Sequence, residues 1–432
     1  MNKTMNLIEY IATHCDDIMK LALFKDRFAL WKLACPQLRD VEFIRQGIVR
    51  CISPVNSGRH FLQMIDEVLD DKITLSTYFN ALKSPRRTKM LKALDAQSYL
   101  INDKAMTDQG IDYLKGYPEL DDYTIEAADG HFFDHACHTP KGANGKAYAA
   151  GSIYALNLRN GLLRLLTVIT NGTVRNHEIP ILRRYIEDEN QGESSSKKHV
   201  YIYDKAVIDH SWWARQRSHN NFMISVHKEN SVATKLAAIE YDKDNPINIG
   251  VESYDVYETK SATFSIVCYR DPETKILHKF ITTMPISINP GLIALLYFKR
   301  WTIEKAYNNS KSDLKENKAW SPNVNSINNQ ARLITMTYNL IRVFEETSKT
   351  ENPDKMHISD KKYIKSLDVR QRAAQKIGAF VNPLLFNPRI TRICSNTIRA
   401  VQNAILNNRP LLKLFDSLER QLRPRTEPST QH

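Results

Sequence analysis

The sequence lacks any long apolar run, which argues against a membrane-spanning helix. Its longest unbroken apolar stretch, Leu292 to Phe298, falls far short of the roughly 20 residues that such a helix needs. The N-terminus also lacks the apolar segment that is typical of a secretory signal. We therefore expect a cytoplasmic protein.

Paired cysteines are also absent. The six cysteines are widely scattered and include no Cys-x2-Cys pair, which is typical of free thiols in a reducing compartment. We interpret them as structural residues. They are Cys15, Cys35, Cys51, Cys137, Cys268 and Cys394.

Acidic residues are in short supply relative to basic ones. The chain has 60 Lys and Arg residues against 48 Asp and Glu residues, a formal net charge of +12. This balance favours a polyanionic partner, and nucleic acid is the first candidate. Charge alone does not separate that interpretation from a merely basic globular protein.

The 432 residues are too many for one ordinary core, and domain-size scaling suggests roughly three units. Residues 1–115 show helical periodicity and predict a helical N-terminal domain. From about residue 116 the pattern changes to strands. An Asn160-Gly161 turn between two apolar runs predicts that the second and third strands pair as a hairpin.

The predicted elements of residues 116–229 follow the order strand, hairpin, helix, strand, helix, strand, which is the order of a ribonuclease-H-like fold. Residues 230–288 then contain strand patterns without a convincing helix and predict a β-rich insertion. Helix returns at Asn289-Pro290, where asparagine is a suitable cap and proline is tolerated at the first helical position. Residues 289–345 complete the core, and residues 346–432 form a helical C-terminal region.

The expected fold class is therefore a multidomain α+β protein. It consists of a ribonuclease-H-like catalytic core, with a mixed five-stranded sheet and helices, interrupted by the β-rich insertion. Helical N- and C-terminal regions flank this core.

The segment that follows Pro290 carries four polar side chains on one helical stripe. With Tyr297 set to zero, Arg300 lies near 300°, Glu304 near 340° and Lys311 near 320°, at about 100° per residue. A carboxylate flanked by two cations suits a metal ion and the phosphates around it. The alternative is an ordinary ion pair between Arg300 and Glu304 on an exposed helix. The opposite side is apolar and carries Leu295, Phe298, Ile303, Ala306 and Leu314.

The spacing Tyr297-x2-Arg300-x3-Glu304-x6-Lys311 resembles the YREK signature of bacterial insertion-sequence DDE transposases of the fourth family. In that family two aspartates join the signature glutamate. Asp129-Gly130-His131 is similar to the family's Asp-Gly-Thr or Asp-Gly-Ser, and Asp204-Lys205-Ala206 resembles its Asp-Arg-x, with lysine in place of arginine.

The resemblance implies a cut-and-paste transposase whose catalytic carboxylates, Asp129, Asp204 and Glu304, hold two magnesium or manganese ions. It assigns Arg300 and Lys311 to DNA phosphates and Tyr297 to a hydrogen bond with the same backbone. The implied partners are double-stranded DNA, as terminal inverted repeats and target, and a second copy of the chain on paired ends. The expected location is the cytoplasm, in association with the nucleoid.

With this resemblance, residues 1–115 are expected to form a DNA-binding domain, and recognition of the transposon ends is assigned to this domain and to the basic C-terminal helices. Two basic runs become candidate DNA contacts; the first is a candidate phosphate-contacting surface, for which a solvated helix face is the alternative. One is the acid-free run Lys83, Arg86, Arg87, Lys89 and Lys92 in the N-terminal domain. The other is Arg389, Arg392 and Arg399 in the C-terminal region.

Several features depart from the family or permit other interpretations. Residues 230–288 contain no tryptophan, which the family's hairpin-forming members use in this insertion; Trp301 or Trp320 would have to substitute, but packing is the simpler role for both.

A zinc site is the alternative for His131, Asp134, His135, Cys137 and His138, and we prefer a structural role because no second ligand pair is evident. The rival functions are a transposase-derived DNA-binding protein that no longer cuts and a host nuclease of the same superfold.

Overall fold

The computed structural model describes the middle of the chain most completely. The described residues are 38–53, 55, 57–69, 73–132, 151–169, 178–190, 198–204, 208–227, 233–272, 274–304, 306, 314, 319–351, 369, 372, 399, 402 and 403. Across these residues no helix combines the length and the apolar character needed to cross a membrane.

The described residues before the first strand form four helices: α1 (Asp40–Ile52), α2 (Gly58–Leu69), α3 (Leu75–Lys83) and α4 (Pro85–Asp108). The starts of α3 and α4 are set locally, because Thr74 and Ser84 each accept a hydrogen bond from a backbone N–H in the first turn. Pro85 stands at the first position of α4, where its missing N–H costs nothing.

Within the described ranges, nine strands form one mixed sheet, in the order β3-β2-β1-β4-β5-β9-β8-β7-β6. The strands are β1 (Tyr123–Phe132), β2 (Gly151–Asn157), β3 (Leu163–Ile169), β4 (Lys198–Ile202), β5 (Asn221–Val226), β6 (Thr234–Ala238), β7 (Val251–Glu258), β8 (Thr263–Arg270) and β9 (Leu277–Thr282). Strands β4 and β5 run parallel to β1, whereas the other neighbouring pairs are antiparallel.

The predicted hairpin is confirmed. Strand β2 pairs with β3 in antiparallel register, with Leu156 opposite Leu163. Gly161 in the connecting turn has a φ of 74°, a conformation that glycine adopts without steric cost. Arg159 ties this turn to the start of β1 by donating from Nε to the Tyr123 carbonyl at 2.9 Å.

The described residues form a sheet of nine strands, whereas a five-stranded sheet with a β-rich insertion was expected. The strands of residues 230–288 do not form a separate layer, because β9 pairs with β5 and joins β8, β7 and β6 to the same sheet. Sequence periodicity shows which residues form a strand but not which distant strand they pair with. Strand β6 escaped prediction altogether, since all of its residues are exposed and it lacks an apolar alternation.

Helices cover both faces of the sheet. On one face lie α5 (Glu178–Asn190) and α6 (His210–Arg217), which contribute Leu182, Ile186, Trp212 and Trp213 to one apolar cluster. On the other face lie α7 (Pro290–Lys299), α8 (Val324–Glu351) and buried residues of the N-terminal helices. The described architecture is therefore a mixed α+β fold.

A buried ion pair joins α4 to α8. Arg332 Nη1 lies 2.9 Å from Asp95 Oδ2, and each side chain is 9% exposed. Burial raises the pKa of Asp95 to about 7, although Arg332 opposes the rise. The Asp95 carboxyl group, buried between α4 and α8, therefore changes its protonation near neutral pH.

We predict that Asp95 makes stability depend on pH between about 4 and 7. Because the folded-state pKa of Asp95 is the higher one, the folded protein takes up a proton there, and its stability falls as pH rises through this window. Relative to Asp95→Asn, the free energy of unfolding of the wild type should fall by up to about 1.4 kcal/mol per pH unit. Urea unfolding from pH 5 to pH 8 measures the difference.

The matched control is Asp108→Asn, which removes an exposed carboxylate at the end of the same helix. Its pH profile should run parallel to that of the wild type. Parallel profiles for Asp95→Asn and the wild type would contradict the assignment.

Candidate functional site

Strands β1 and β4 bring Asp129 and Asp204 together. The parallel pairing ends at Ala127 opposite Ile202, and Asp129 and Asp204 each follow two residues later along the chain. The charge of Asp204 helps to raise the pKa of Asp129, which agrees with their being close. Neighbouring strands lie about 4.8 Å apart. Side chains alternate between the faces of a sheet, so both aspartates lie on the face of Ala127 and Ile202, which α7 covers.

Helix α7 is buried where it packs against the face of the sheet that carries Asp129. Its residues from Pro290 to Tyr297 are all buried, which is typical of a helix enclosed on every side. The N-terminus of α7 is held by the Asn248 side chain, which accepts from the Gly291 N–H at 3.0 Å and donates to Asn289 Oδ1 at 2.9 Å. The β-rich segment thus sets the position of α7.

The predicted continuous helix is interrupted at Arg300. Helix α7 ends at Lys299, and the chain then passes through a tighter turn in which Arg300 N donates to the Tyr297 carbonyl at 3.0 Å. Ile303 N donates in the same i to i−3 pattern to the Arg300 carbonyl, and residues 301–304 are helical again. Lys311 lies outside the described residues.

Arg300 contacts two of the three predicted carboxylates. Its Nη1 lies 3.3 Å from Asp129 Oδ2, and its Nη2 lies 3.0 Å from Glu304 Oε1. The Arg300 side chain is 8% exposed, whereas that of Glu304 is 42% exposed. The guanidinium therefore sits beneath the surface, between carboxylates that come from β1 and from the end of the α7 segment.

The pKa shifts show that these groups form one electrostatic cluster. Burial raises the pKa of Asp129; Arg300 and a hydrogen bond from Gly130 N–H oppose this rise, and the charges of Glu304 and Asp204 add to it. Burial lowers the pKa of Arg300, but the surrounding Tyr297, Asp129, Glu304 and Asp204 more than compensate and raise it. All three carboxylates thus act on the same guanidinium.

Tyr297 packs inside the protein instead of pointing to the surface. Its ring centroid lies 5.0 Å from that of Phe280 and 5.7 Å from the Arg300 guanidinium carbon. Burial raises the pKa of its hydroxyl, although Arg300 opposes the rise with its charge and a hydrogen bond. In this arrangement Tyr297 supports Arg300.

The carboxylates are the donor set that magnesium and manganese prefer. Even so, no three His, Cys, Asp or Glu side chains within the described ranges are grouped closely enough to hold a metal ion as they stand. Arg300 explains the spacing, because its guanidinium separates Asp129 from Glu304. The residues therefore fit a divalent cation chemically, and a cation would compete with Arg300 for them.

The other candidate residues divide into three groups. Arg86 and Arg87 both pair with Asp40, whereas Lys83, Lys89 and Lys92 are exposed. Of the zinc-like cluster only His131 is described, and it is buried. Of the C-terminal arginines only Arg399 is described, on an exposed helical position.

The two tryptophans near the signature segment differ in their environment. Trp320 packs against Arg50, whose guanidinium carbon lies 4.1 Å from its ring centroid. Trp301 is 57% exposed beside Arg300, so the packing role expected for it is wrong. Helical periodicity agrees with this exposure, because at about 100° per residue Trp301 lies near 40° from Tyr297, away from the apolar side of the segment.

We predict that Gly291→Ala destabilises the protein by about 1–3 kcal/mol, the usual range for overpacking. A Cβ atom at this position would lie 1.8 Å from the Ile247 carbonyl oxygen, so backbone would have to move. The midpoint of urea unfolding measures the effect. The control is Ile286→Ala, which alters a side chain that is 57% exposed just before α7. This variant should change the free energy of unfolding by less than about 0.5 kcal/mol. A Gly291→Ala protein as stable as the wild type would contradict the packing described.

Comparison of the chain with models of known protein families and with curated proteins gives no match.

Proposed function

We propose that the chain is a DDE transposase that cleaves transposon ends and joins them to target DNA with the help of divalent metal ions. The observation that carries the proposal is that Asp129 and Glu304 both contact Arg300, and that the charge of Asp204 acts on the same guanidinium. These carboxylates come from three distant stretches of chain. The YREK-like spacing supports the same conclusion independently of the coordinates.

The proposal includes a ribonuclease-H-like core made of β1–β5 with α5 and α6. It is supported by the order β3-β2-β1-β4-β5 within the sheet and by the parallel directions of β1, β4 and β5. In this interpretation β6–β9 are the insertion, and they lengthen the sheet beyond β5.

Asp129, Asp204 and Glu304 would hold two magnesium or manganese ions. When bound, such a pair stabilises the attacking and leaving oxygens of an in-line displacement at phosphorus. The chain's own contribution is to bring three carboxylates to one edge of a rigid sheet, where strand pairing limits their movement. Water is the first nucleophile in this scheme, and the freed 3′ hydroxyl is the second.

Arg300 has a double role in this proposal. Without a divalent cation, its guanidinium offsets the charges of Asp129 and Glu304. With a divalent cation held by Asp129 and Glu304, the guanidinium would be free to contact the DNA backbone, where its two parallel N–H groups suit phosphate oxygens. Tyr297 would position the guanidinium in both arrangements.

The proposed partners are double-stranded DNA and a second copy of the chain, which would hold paired ends. The test uses the purified full chain with duplexes that carry the inverted repeats flanking its reading frame. Nicking at the repeat boundary in magnesium, and none in excess chelator, is the expected result. Binding without nicking in either magnesium or manganese would instead favour the non-cutting DNA-binding protein.

A further inference from the structure

A second basic feature lies away from the carboxylate cluster, at the edge of the sheet. A cleft of about 560 Å³ opens between α4, the edge strand β3, α5 and α8. Four of its lining side chains are cationic, namely Lys89, Lys92, Arg164 and Arg332, and one, Asp95, is a carboxyl group. The cleft therefore carries a clear excess of positive charge.

The two arginines are already paired with acids. Arg332 pairs with Asp95, and Arg164 lies 2.5 Å from Glu126. Lys89 and Lys92 are exposed, and no carboxylate among the described residues forms an ion pair with either. One helical turn separates the two lysines, so they stand side by side on α4. Their charges are available to a ligand.

The sheet register relates this cleft to the carboxylate cluster. Asp129 on β1 lies opposite Tyr154 on β2, and Tyr154 lies opposite Leu165 on β3. Leu165 lines the cleft. Two strand spacings separate Leu165 from Asp129, which corresponds to roughly 10 Å. All three residues lie on the face that α7 and α8 cover.

A ligand that reaches from the carboxylate cluster to this cleft must be extended, and it must carry negative charge along its length to interact with the two lysines. We propose that the cleft binds the sugar-phosphate backbone of the DNA that leaves the carboxylate cluster, with Lys89 and Lys92 contacting its phosphates. The choice of DNA over another polyanion rests on the proposed function. Lysine suits this role because a compact ammonium positions a backbone without reading sequence.

The test measures binding of the full chain to a fluorescein-labelled duplex in chelator, so that no cleavage occurs. In Lys89→Gln/Lys92→Gln, the slope of log affinity against log salt should become shallower by about two, one for each lost phosphate contact. At 0.1 M salt the dissociation constant should rise about tenfold or more. Lys89→Arg/Lys92→Arg keeps both charges and should bind like the wild type.

The matched control is Lys243→Gln/Lys260→Gln, which removes the same charge from exposed positions near β6 and β7, at the opposite edge of the sheet. Its affinity should change little. Ala96→Trp adds no charge but fills the cleft from an exposed position on α4, and it should weaken DNA binding as well. This variant separates occupation of the cleft from general charge attraction.

The assignment is overturned if Lys89→Gln/Lys92→Gln binds no more weakly than the control. It is also overturned if polyglutamate competes as well as DNA at equal charge, because the cleft would then select no nucleic acid. If the cleft variants lose DNA binding and the wild type does not cleave DNA, the cleft is a DNA-binding site but the proposed transposase activity is rejected.

Discussion

Asp129→Asn, Asp204→Asn and Glu304→Gln should each lower the rate of magnesium-dependent cleavage by about 10³-fold, which corresponds to about 4 kcal/mol of transition-state stabilisation. Each substitution keeps the size of the side chain and removes one anionic ligand. The three losses should be similar, because each carboxylate contributes to one cluster around Arg300. Single-turnover cleavage of an end duplex measures the rate.

The matched control for these variants is Glu240→Gln, which neutralises an exposed carboxylate just after β6. It should cleave like the wild type. Circular dichroism and thermal unfolding establish that all four variants are folded. Any one of the three carboxylates whose replacement leaves cleavage intact is not part of the proposed triad.

Arg300→Gln should have opposite effects on metal binding and on cleavage. Removal of the guanidinium frees Asp129 and Glu304, so Mn²⁺ should bind the DNA-free protein more tightly, by about tenfold. Cleavage should nevertheless fall by about 10²-fold, because the proposed contact with the phosphate is lost. Isothermal titration with Mn²⁺ measures the first effect, and single-turnover cleavage measures the second.

Two further variants define the role of Arg300. Arg300→Lys keeps the positive charge but loses the two-pronged geometry, so its Mn²⁺ affinity should lie between those of Arg300→Gln and the wild type. Arg270→Gln releases a different exposed carboxylate, Glu252, far along the sheet, and should leave Mn²⁺ binding unchanged. Equal Mn²⁺ affinities in Arg300→Gln and the wild type would show that the guanidinium does not compete with the cation.

Local features of this chain were predictable because they depend on residues that are close in sequence. The Asn160-Gly161 turn indicated the β2–β3 hairpin, and Asn289-Pro290 indicated the start of α7. Runs of β-forming apolar residues bounded by turn signals indicated the strands of residues 116–229 and most strands of residues 230–288. The remaining strand, β6, is exposed throughout and carries no such pattern.

The sequence singled out Asp129, Arg300 and Glu304, and the structure brings these three side chains into contact. Their role in cleaving DNA stays a prediction. Helical geometry did not reveal that Arg300 lies in a tight turn and pairs with Asp129, a residue 171 positions away. An ion pair of that kind depends on how α7 packs against the sheet.

The sequence by itself determined the local features of this protein: its excess of basic residues, the β2–β3 hairpin, the start of α7 and the polar residues in the segment that follows. These follow from backbone preferences and from side-chain periods, which act over a few residues. Only the tertiary structure decided that β9 pairs with β5. It also decided that Asp40 forms ion pairs with Arg86 and Arg87, and that Lys89 and Lys92 line a cleft. These contacts depend on which surfaces, distant in sequence, pack together. The local sequence does not choose between them, because a strand or a charged helix face could pair with several partners equally well.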